Sequence, residues 1–246
     1  SGVSHRMATI RKESLPGPPM LGLASLDFIA EMKREIRCGD ILRPGKLKNF
    51  PALLGAIATL LMCFGYQISQ GGLMDGHTIW TLGALYPEGT FPKEPWRLLA
   101  YGFLHGGWAH LVTNLISLAI IGPFVIRALG NIGAGLVFAG GIVIAGVGIS
   151  YFGQNDLTLG ASGGVMALMG SLVPVCLWHR SVKGTRIGRG FLKLITMACV
   201  LQTAVDASNA VISFTGHFFG LLGGLGLGAL LLLTFGRDSE ELNQVR

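Results

Sequence analysis

The feature that most constrains this chain is a series of long apolar runs with almost no charge inside them. A helix needs roughly 20 apolar residues to cross the hydrocarbon core of a bilayer, and six runs approach or reach that length. They cover residues 50–70, 108–127, 131–152, 160–178, 191–207 and 210–235. Only 13% of the 246 residues are charged, about half the share that a soluble domain carries. The sequence therefore predicts an all-α, polytopic membrane protein with six transmembrane helices.

The basic residues are concentrated in the segments that would face one side of the membrane. Of the 19 lysines and arginines, only Lys93 and Arg97 lie in segments that a cytoplasmic amino terminus would place outside. Cytoplasmic loops hold an excess of Lys and Arg, so we predict that both ends of the chain are cytoplasmic. Topology explains the net charge of +6, and we expect no nucleic-acid partner.

Composition divides the chain into three parts. Residues 1–49 are predicted to form a cytoplasmic extension, residues 50–235 the membrane domain and residues 236–246 a cytoplasmic tail. Residues 25–38 have the apolar spacing of an amphipathic helix, which either lies on the membrane surface or is a solvated helix beside it. Because the extension lacks the sustained Arg-rich pattern of an organelle transit peptide, we expect a bacterial inner membrane.

Four polar residues stand inside the apolar runs, where such residues are costly and indicate function. His110 and Asn114 are one turn apart in the second run, Ser162 lies near the start of the fourth, and His217 lies in the sixth. All three helices would start on the outside face, and at about 1.5 Å per residue the four side chains fall within roughly 10 Å of it. We expect them to converge in a cavity that water reaches from outside.

Two stripes of small residues would let the fourth and sixth helices approach each other closely. The stripe on the sixth run is Gly216, Gly220, Gly224 and Gly228, and the stripe on the fourth is Gly163, Ala167 and Ser171. Small residues allow transmembrane backbones to pack tightly. Such packing would bring Ser162 Oγ within hydrogen-bond reach of a His217 ring nitrogen.

Other interpretations of these residues remain open at this point. Taken singly, Ser162 could cap a helix, His217 could be a packed histidine, and Asn114 could bond a neighbouring helix. The string Gly160–Gly164 also fits the nucleophile motif of α/β-hydrolases, but that motif needs a strand before the serine, and no alternating pattern precedes it. A transporter relay would need buried carboxylates, and the spans hold only Asp206, near an end.

Three motifs, in this order, resemble those of the rhomboid intramembrane serine proteases. They correspond to the family's first-loop and second-helix signature, its G-x-S-G motif and its H-x-x-G-x-x-x-G motif. The matching residues are Trp96-Arg97, His105, His110-Leu-Val-Thr-Asn114, Gly160-Ala161-Ser162-Gly163 and His217-Phe-Phe-Gly220-Leu-Leu-Gly-Gly224. The resemblance covers roughly residues 50–235. It implies that these residues form a six-helix rhomboid-like protease domain.

The resemblance implies an intramembrane serine endopeptidase that cleaves transmembrane segments of other membrane proteins near the outer face. Ser162 would be the nucleophile and His217 its general base, while His110, Asn114 and the backbone N–H of Ser162 would form the oxyanion hole. The residues implied to support this site are Gly160, Gly163, Met166 and Gly220. No metal and no cofactor are implied, and the expected partners are transmembrane substrates and the lipid bilayer.

The chain departs from the family pattern at two places. Many members carry a Tyr four residues after the serine, where this chain has Met166; a thioether still makes a sulfur–aromatic contact, and we expect a looser hold on His217. Many members also carry a Glu before the basic stretch that here reads Val125-Ile126-Arg127-Ala128. The alternative function is that of a catalytically silent relative that binds or escorts membrane proteins.

Overall fold

The computed structural model describes most of the predicted membrane domain as helix. The described residues are 50–71, 73, 75–86, 93–153, 157–183, 192, 193, 195–198, 202 and 214–236. Within these ranges there is no strand, only an isolated antiparallel bridge between Leu85 and Thr158. Three of the helices in these ranges are long and apolar enough to cross a membrane. The all-α prediction is therefore confirmed.

The first helix, α1 (Pro51–Ser69), follows the first predicted run closely. It starts with a proline, whose missing N–H is no loss in the first turn of a helix and whose φ already suits a helix. It ends just before Gly71, which has a φ of 79°. The bounds differ from the predicted 50–70 by a single residue at each end.

Short helices fill the segment between the first two runs, which we call the outer segment after its predicted side of the membrane. Helix α2 (Gly76–Leu82) is capped by the Asp75 carboxylate, which accepts hydrogen bonds from the backbone N–H groups of the first turn, and ends at Gly83, where φ is 115°. Helix α3 (Arg97–Ala100) continues into a 3₁₀ turn at Tyr101–Phe103. Local capping chemistry therefore shapes this segment, which carries no long apolar run.

Helix α4 (Trp108–Phe152) accounts for two predicted runs. A straight helix of 45 residues would be about 68 Å long, twice what a bilayer core requires. Gly130, however, has φ 76° and ψ 174°, so two helical segments meet there at a break. The predicted runs 108–127 and 131–152 are thus separate helical segments joined through one glycine.

The last two long helices form the centre of the structure. Helix α5 (Ser162–Lys183) packs against both α4 and α6 (Phe214–Leu231), while α1 packs mainly on α4. Helix α6 continues as a π-helical turn at Leu232–Gly236. The helix that begins with Ser162 therefore packs between α4 and α6, which fixes its position.

The fifth predicted run is only partly covered by the described residues. Residues 192, 193, 195–198 and 202 are helical, and the rest of 191–207 lies outside the described ranges. The six-helix count therefore stays a prediction. Residues 1–49 and 237–246 also lie outside those ranges, so the predicted extension and tail remain predictions.

The predicted stripes of small residues do meet between α5 and α6. A Cβ on Gly220 would collide with the carbonyl of Gly163, and a Cβ on Gly224 would collide with the carbonyl of Ala167. Only glycine leaves room for backbones this close. The predicted close approach of the fourth and sixth runs is confirmed.

Candidate functional site

Ser162 is the first residue of α5. The loop before it is hydrogen-bonded to the backbone of the outer segment. The N–H of Gly160 donates to the carbonyl of Tyr101 (3.0 Å), while Thr158 and Leu85 exchange two backbone hydrogen bonds of 2.7 and 2.9 Å. Gly160 has a φ of 126°, a conformation that favours glycine because a Cβ would be strained there. The outer segment therefore positions the turn that leads into Ser162.

His217 lies in α6 and is buried, and its neighbours Gly216 and Gly220 lie against α5. The carbonyl of Gly216 lies 3.7 Å from where a Cβ of Gly163 would be, and Gly220 packs on the backbone of Gly163. The turn of α5 that contains Ser162 therefore packs against the turn of α6 that contains His217. The hydrogen bond between the Ser162 hydroxyl and the His217 ring stays a prediction.

The imidazole of His110 reaches from the start of α4 to the turn before Ser162. It lies directly against Gly160, where any side chain would meet the ring. Its Nδ1 accepts a hydrogen bond from the backbone N–H of Gly106 (3.4 Å). The structure thus brings together three of the regions that the sequence predicted to converge.

Asn114 and Met166 are each buried one turn beyond a predicted site residue. Asn114 Nδ2 donates to the carbonyl of His110 (3.1 Å), so one amide hydrogen is bonded within its own helix and the amide keeps a second one. Met166 belongs to the core of α5. The role of Asn114 in an oxyanion hole and the contact between Met166 and His217 stay predictions.

Arg97, from the Trp96-Arg97 motif, holds the outer segment together. Its guanidinium carbon lies 3.6 Å from the ring centre of Trp80 and 4.5 Å from that of Trp96. The same group pairs with Glu94 at 2.9 Å and donates to the carbonyls of Trp80 and Ala84. Such a stacked and multiply bonded arginine is anchored far more firmly than a surface ion pair. It therefore stiffens the segment that supports the loop before the serine.

His105 is fully buried beside the predicted site. Its ring centre lies 5.1 Å from that of His110 and 6.4 Å from that of Phe64, both edge to face. Burial, helped by the neighbouring His110, lowers the pKa of His105 to about 4, so the ring is neutral at neutral pH. Its backbone is bonded to the side chain of Gln67, so His105 ties this loop to α1.

Two glutamines that the sequence did not single out contact this region. Gln67 of α1 binds the backbone of His105, and the Gln202 amide nitrogen lies 3.5 Å from Nδ1 of His217. Both stand inside predicted apolar runs, so the rule that flags polar residues in such runs could have found them. In the described part of the chain, no group of three metal-ligating side chains is arranged to hold a metal ion.

Comparison with known proteins places these features in one family. The Rhomboid domain family matches residues 92–234 of the chain. The chain is 32% identical to YdcA of Bacillus subtilis over 56% of its own length and 68% of that protein. It is 30% identical to RHOMBOID-like protein 6, mitochondrial, of Arabidopsis thaliana over 72% of this chain and 58% of the relative. Rhomboid protease GluP of Bacillus subtilis is 33% identical over 70% of this chain.

These alignments leave part of each relative unmatched. In GluP the matched part is only 33% of that protein. The family match, however, spans more than half of this chain and includes the segments that carry His110, Ser162 and His217. The long apolar helices of this chain fit a protein that crosses the membrane several times. This multi-pass integral membrane protein belongs to the rhomboid family.

Proposed function

We propose that the chain is an intramembrane serine endopeptidase that cleaves transmembrane segments of membrane proteins near the outer face. Membership of the rhomboid family and the protease name of GluP support this activity. The observation that carries the proposal is the packing of the Ser162 turn of α5 against the His217 turn of α6, with the ring of His110 against Gly160, two residues before Ser162.

The proposed reaction uses Ser162 and His217 as a nucleophile and its base. A serine hydroxyl is a weak nucleophile until an adjacent base accepts its proton. Ser162 Oγ attacks the scissile carbonyl carbon as His217 takes that proton, and His217 then passes it to the leaving amine. Water attacks the resulting acyl ester by the same route, which releases the acid and restores the serine.

The developing oxyanion needs donors that are already in place. His110, Asn114 and the backbone N–H of Ser162 are the proposed donors, and removing one such donor typically costs about 3–4 kcal/mol of transition-state stabilisation. The contact of His110 with Gly160 and the burial of Asn114 support this assignment. A site with little water strengthens each of these interactions, because screening is weak there.

The proposed substrates are membrane proteins whose transmembrane helices unwind easily near the outer face. Small residues at the cleavage site should be favoured, as expected from the small residues at 160–164 around the proposed nucleophile. We further propose a bacterial inner membrane, with residues 1–49 and 236–246 in the cytoplasm around a six-helix domain at 50–235. The lipid bilayer is then the second partner of the protein.

The proposal is tested by serine-directed labelling together with cleavage of a single-span reporter substrate in liposomes. We expect a fluorophosphonate to label the wild type and a Ser171→Ala control, whose serine lies on the same helix. Ser162→Ala should lose both labelling and cleavage, and His217→Ala should be severely slowed in both. Labelling that persists in Ser162→Ala would refute the assignment. Substrate binding without any cleavage by the wild type would favour the catalytically silent alternative.

A further inference from the structure

Gln67 forms a polar cross-link between an apolar helix and the loop next to the proposed site. Its side chain is completely buried near the outer end of α1. Oε1 accepts a hydrogen bond from the backbone N–H of His105 (3.0 Å), and Nε2 donates to the carbonyl of the same residue (2.7 Å). A buried amide is costly unless it is hydrogen-bonded. This paired arrangement therefore fixes the peptide groups of His105 on α1.

The residue after His105 contacts the ring of His110. The backbone N–H of Gly106 points at Nδ1 of His110 at 3.4 Å. A backbone N–H can only donate, so Nδ1 must be the acceptor, and a neutral ring then carries its proton on Nε2. At 3.4 Å the hydrogen bond is long, so its strength depends on how firmly the loop holds Gly106.

The nitrogen that carries the proton is the one beside the proposed nucleophile turn. Nε2 and Cε1 of His110 are the ring atoms that face Gly160, two residues before Ser162. A ring protonated on Nδ1 alone would present a lone pair instead of a donor to an oxyanion at that position. The choice of tautomer therefore decides whether His110 can stabilise negative charge there.

We infer that Gln67 is a positioning residue, which holds the Gly106 N–H against Nδ1 of His110 and so keeps the His110 proton on Nε2, facing the oxyanion. The inference rests on the proposed function for its catalytic meaning, but the tautomer itself does not depend on turnover. It gives α1, which carries none of the proposed catalytic groups, a direct role in preparing the site. Pre-orienting a donor in this way matters because oxyanion stabilisation depends on groups that are in place before the reaction.

The effect of losing the cross-link follows from these contacts. Gln67→Met keeps the length of the side chain but removes both hydrogen bonds, which leaves two buried peptide groups of His105 without those partners. The loop can then shift, and His110 can rotate or exchange tautomers. We expect kcat to fall about tenfold with little change in KM, less than the roughly 10²–10³-fold loss on removing a whole donor.

The test is nitrogen NMR of ¹⁵N-histidine-labelled protein, which distinguishes the two tautomers directly. Spectra are recorded on the Ser162→Ala background, and the His110 signals are assigned by their loss in His110→Ala. Gln70→Met is the matched control, since Gln70 is an exposed amide at the end of the same helix. The control should keep the Nε2–H pattern, whereas Gln67→Met should show a mixture. Unchanged His110 signals in Gln67→Met would overturn the inference, whatever happens to the rate.

A second variant covers the case in which Gln67→Met does not fold. Gln67→Glu keeps the acceptor for the His105 N–H and, as the neutral acid, keeps a donor as well. At about pH 8, where an ordinary imidazole is neutral, it should therefore keep more of the Nε2–H pattern than Gln67→Asn, whose shorter side chain cannot span both contacts. Equal tautomer mixtures in these two variants would contradict the cross-link. If the wild type neither labels nor cleaves, the proposed function fails, while these spectra still decide the role of Gln67.

Discussion

The ring of His110 occupies the space that a side chain at Gly160 would need. A Cβ at residue 160 would lie 2.6 Å from Cε1 and 2.7 Å from Nε2 of His110. Gly160 also has a φ of 126°, which L residues rarely adopt. One glycine thus provides both the turn into α5 and the room for the proposed oxyanion donor.

Gly160→Ala should therefore impair catalysis by displacing His110. We expect kcat to fall about 10²-fold, comparable to the loss of one oxyanion donor, with the helical content retained. The measurement is the cleavage rate of a single-span substrate in liposomes, together with circular dichroism. Gly55→Ala is the control, because a Cβ there meets nothing within 4 Å. A folded Gly160→Ala protein with the wild-type rate would show that His110 does not need this position.

Gly220→Ala should separate the two helices that carry Ser162 and His217. The added methyl group would collide with the backbone carbonyl of Gly163, and backbone cannot move aside as a flexible side chain can. Overpacking of this kind typically costs about 1–3 kcal/mol, and we expect a lower midpoint of thermal unfolding in detergent together with a loss of cleavage.

The same helix offers a matched control for this substitution. Gly226→Ala adds the same methyl group where nothing lies within 4 Å, so it should keep both the unfolding midpoint and the cleavage rate. Equal effects of the two substitutions would mean that α6 is sensitive to alanine in general. In that case the contact of Gly220 with α5 would not be the cause of the loss.

Gln202 should support His217 through the ring nitrogen Nδ1, 3.5 Å from its amide. The amide nitrogen and oxygen exchange places when the amide rotates by half a turn, and the oxygen would then accept from Nδ1–H and leave Nε2 free to act as the base. We expect Gln202→Leu to lower kcat about tenfold, and Gln202→Glu to retain more activity because its carboxylate can still accept that proton. Cleavage kinetics are compared with those of Met197→Ala, an exposed helical residue of the same predicted run. If Gln202→Leu and Gln202→Glu lower kcat equally, the hydrogen bond to His217 does not contribute to catalysis.

The sequence predicts features that arise within one helix better than contacts between residues far apart in the chain. Apolar runs and four-residue spacing gave α1, the two segments of α4 and the contact of Gly220 with Gly163, because periodicity within a helix determines which face is small. The partners of Gln67 and Gln202 could not be predicted in this way. Gln67 meets a backbone 38 residues away, and that pairing depends on the path of the outer segment, which turns and caps determine.

The same limit applies to the orientation of side chains at the site. Sequence spacing placed His110 and Asn114 one turn apart on one face, and both follow the start of α4 as expected. It could not show that the Asn114 amide donates back to the carbonyl of His110. An amide in a helix can bond either its own preceding turn or a neighbour, and packing decides between them.

The buried ring of His105 should make the protein less stable in mild acid. Its pKa lies at about 4 in the folded protein, against an ordinary value of 6.5. Between these two values the unfolded chain binds a proton that the folded protein refuses, so the free energy of unfolding decreases as the pH falls through this window. Above about pH 6.5 both states are neutral and the effect vanishes. At about 1.4 kcal/mol per pKa unit, the full loss, reached below about pH 4, amounts to about 3.5 kcal/mol.

The prediction is tested with His105→Leu, which removes the titrating ring from the contact with Phe64 and His110. Thermal unfolding midpoints are measured from pH 7.5 to 4 in the same detergent. Other groups titrate in this range, so the comparison is between slopes: the midpoint of His105→Leu should fall less steeply with acid than that of the wild type. His77→Leu is the control, because His77 is exposed on α2, and it should keep the wild-type slope. Parallel slopes for His105→Leu and the wild type would mean that the buried ring takes up its proton as readily in the folded protein as in the unfolded chain.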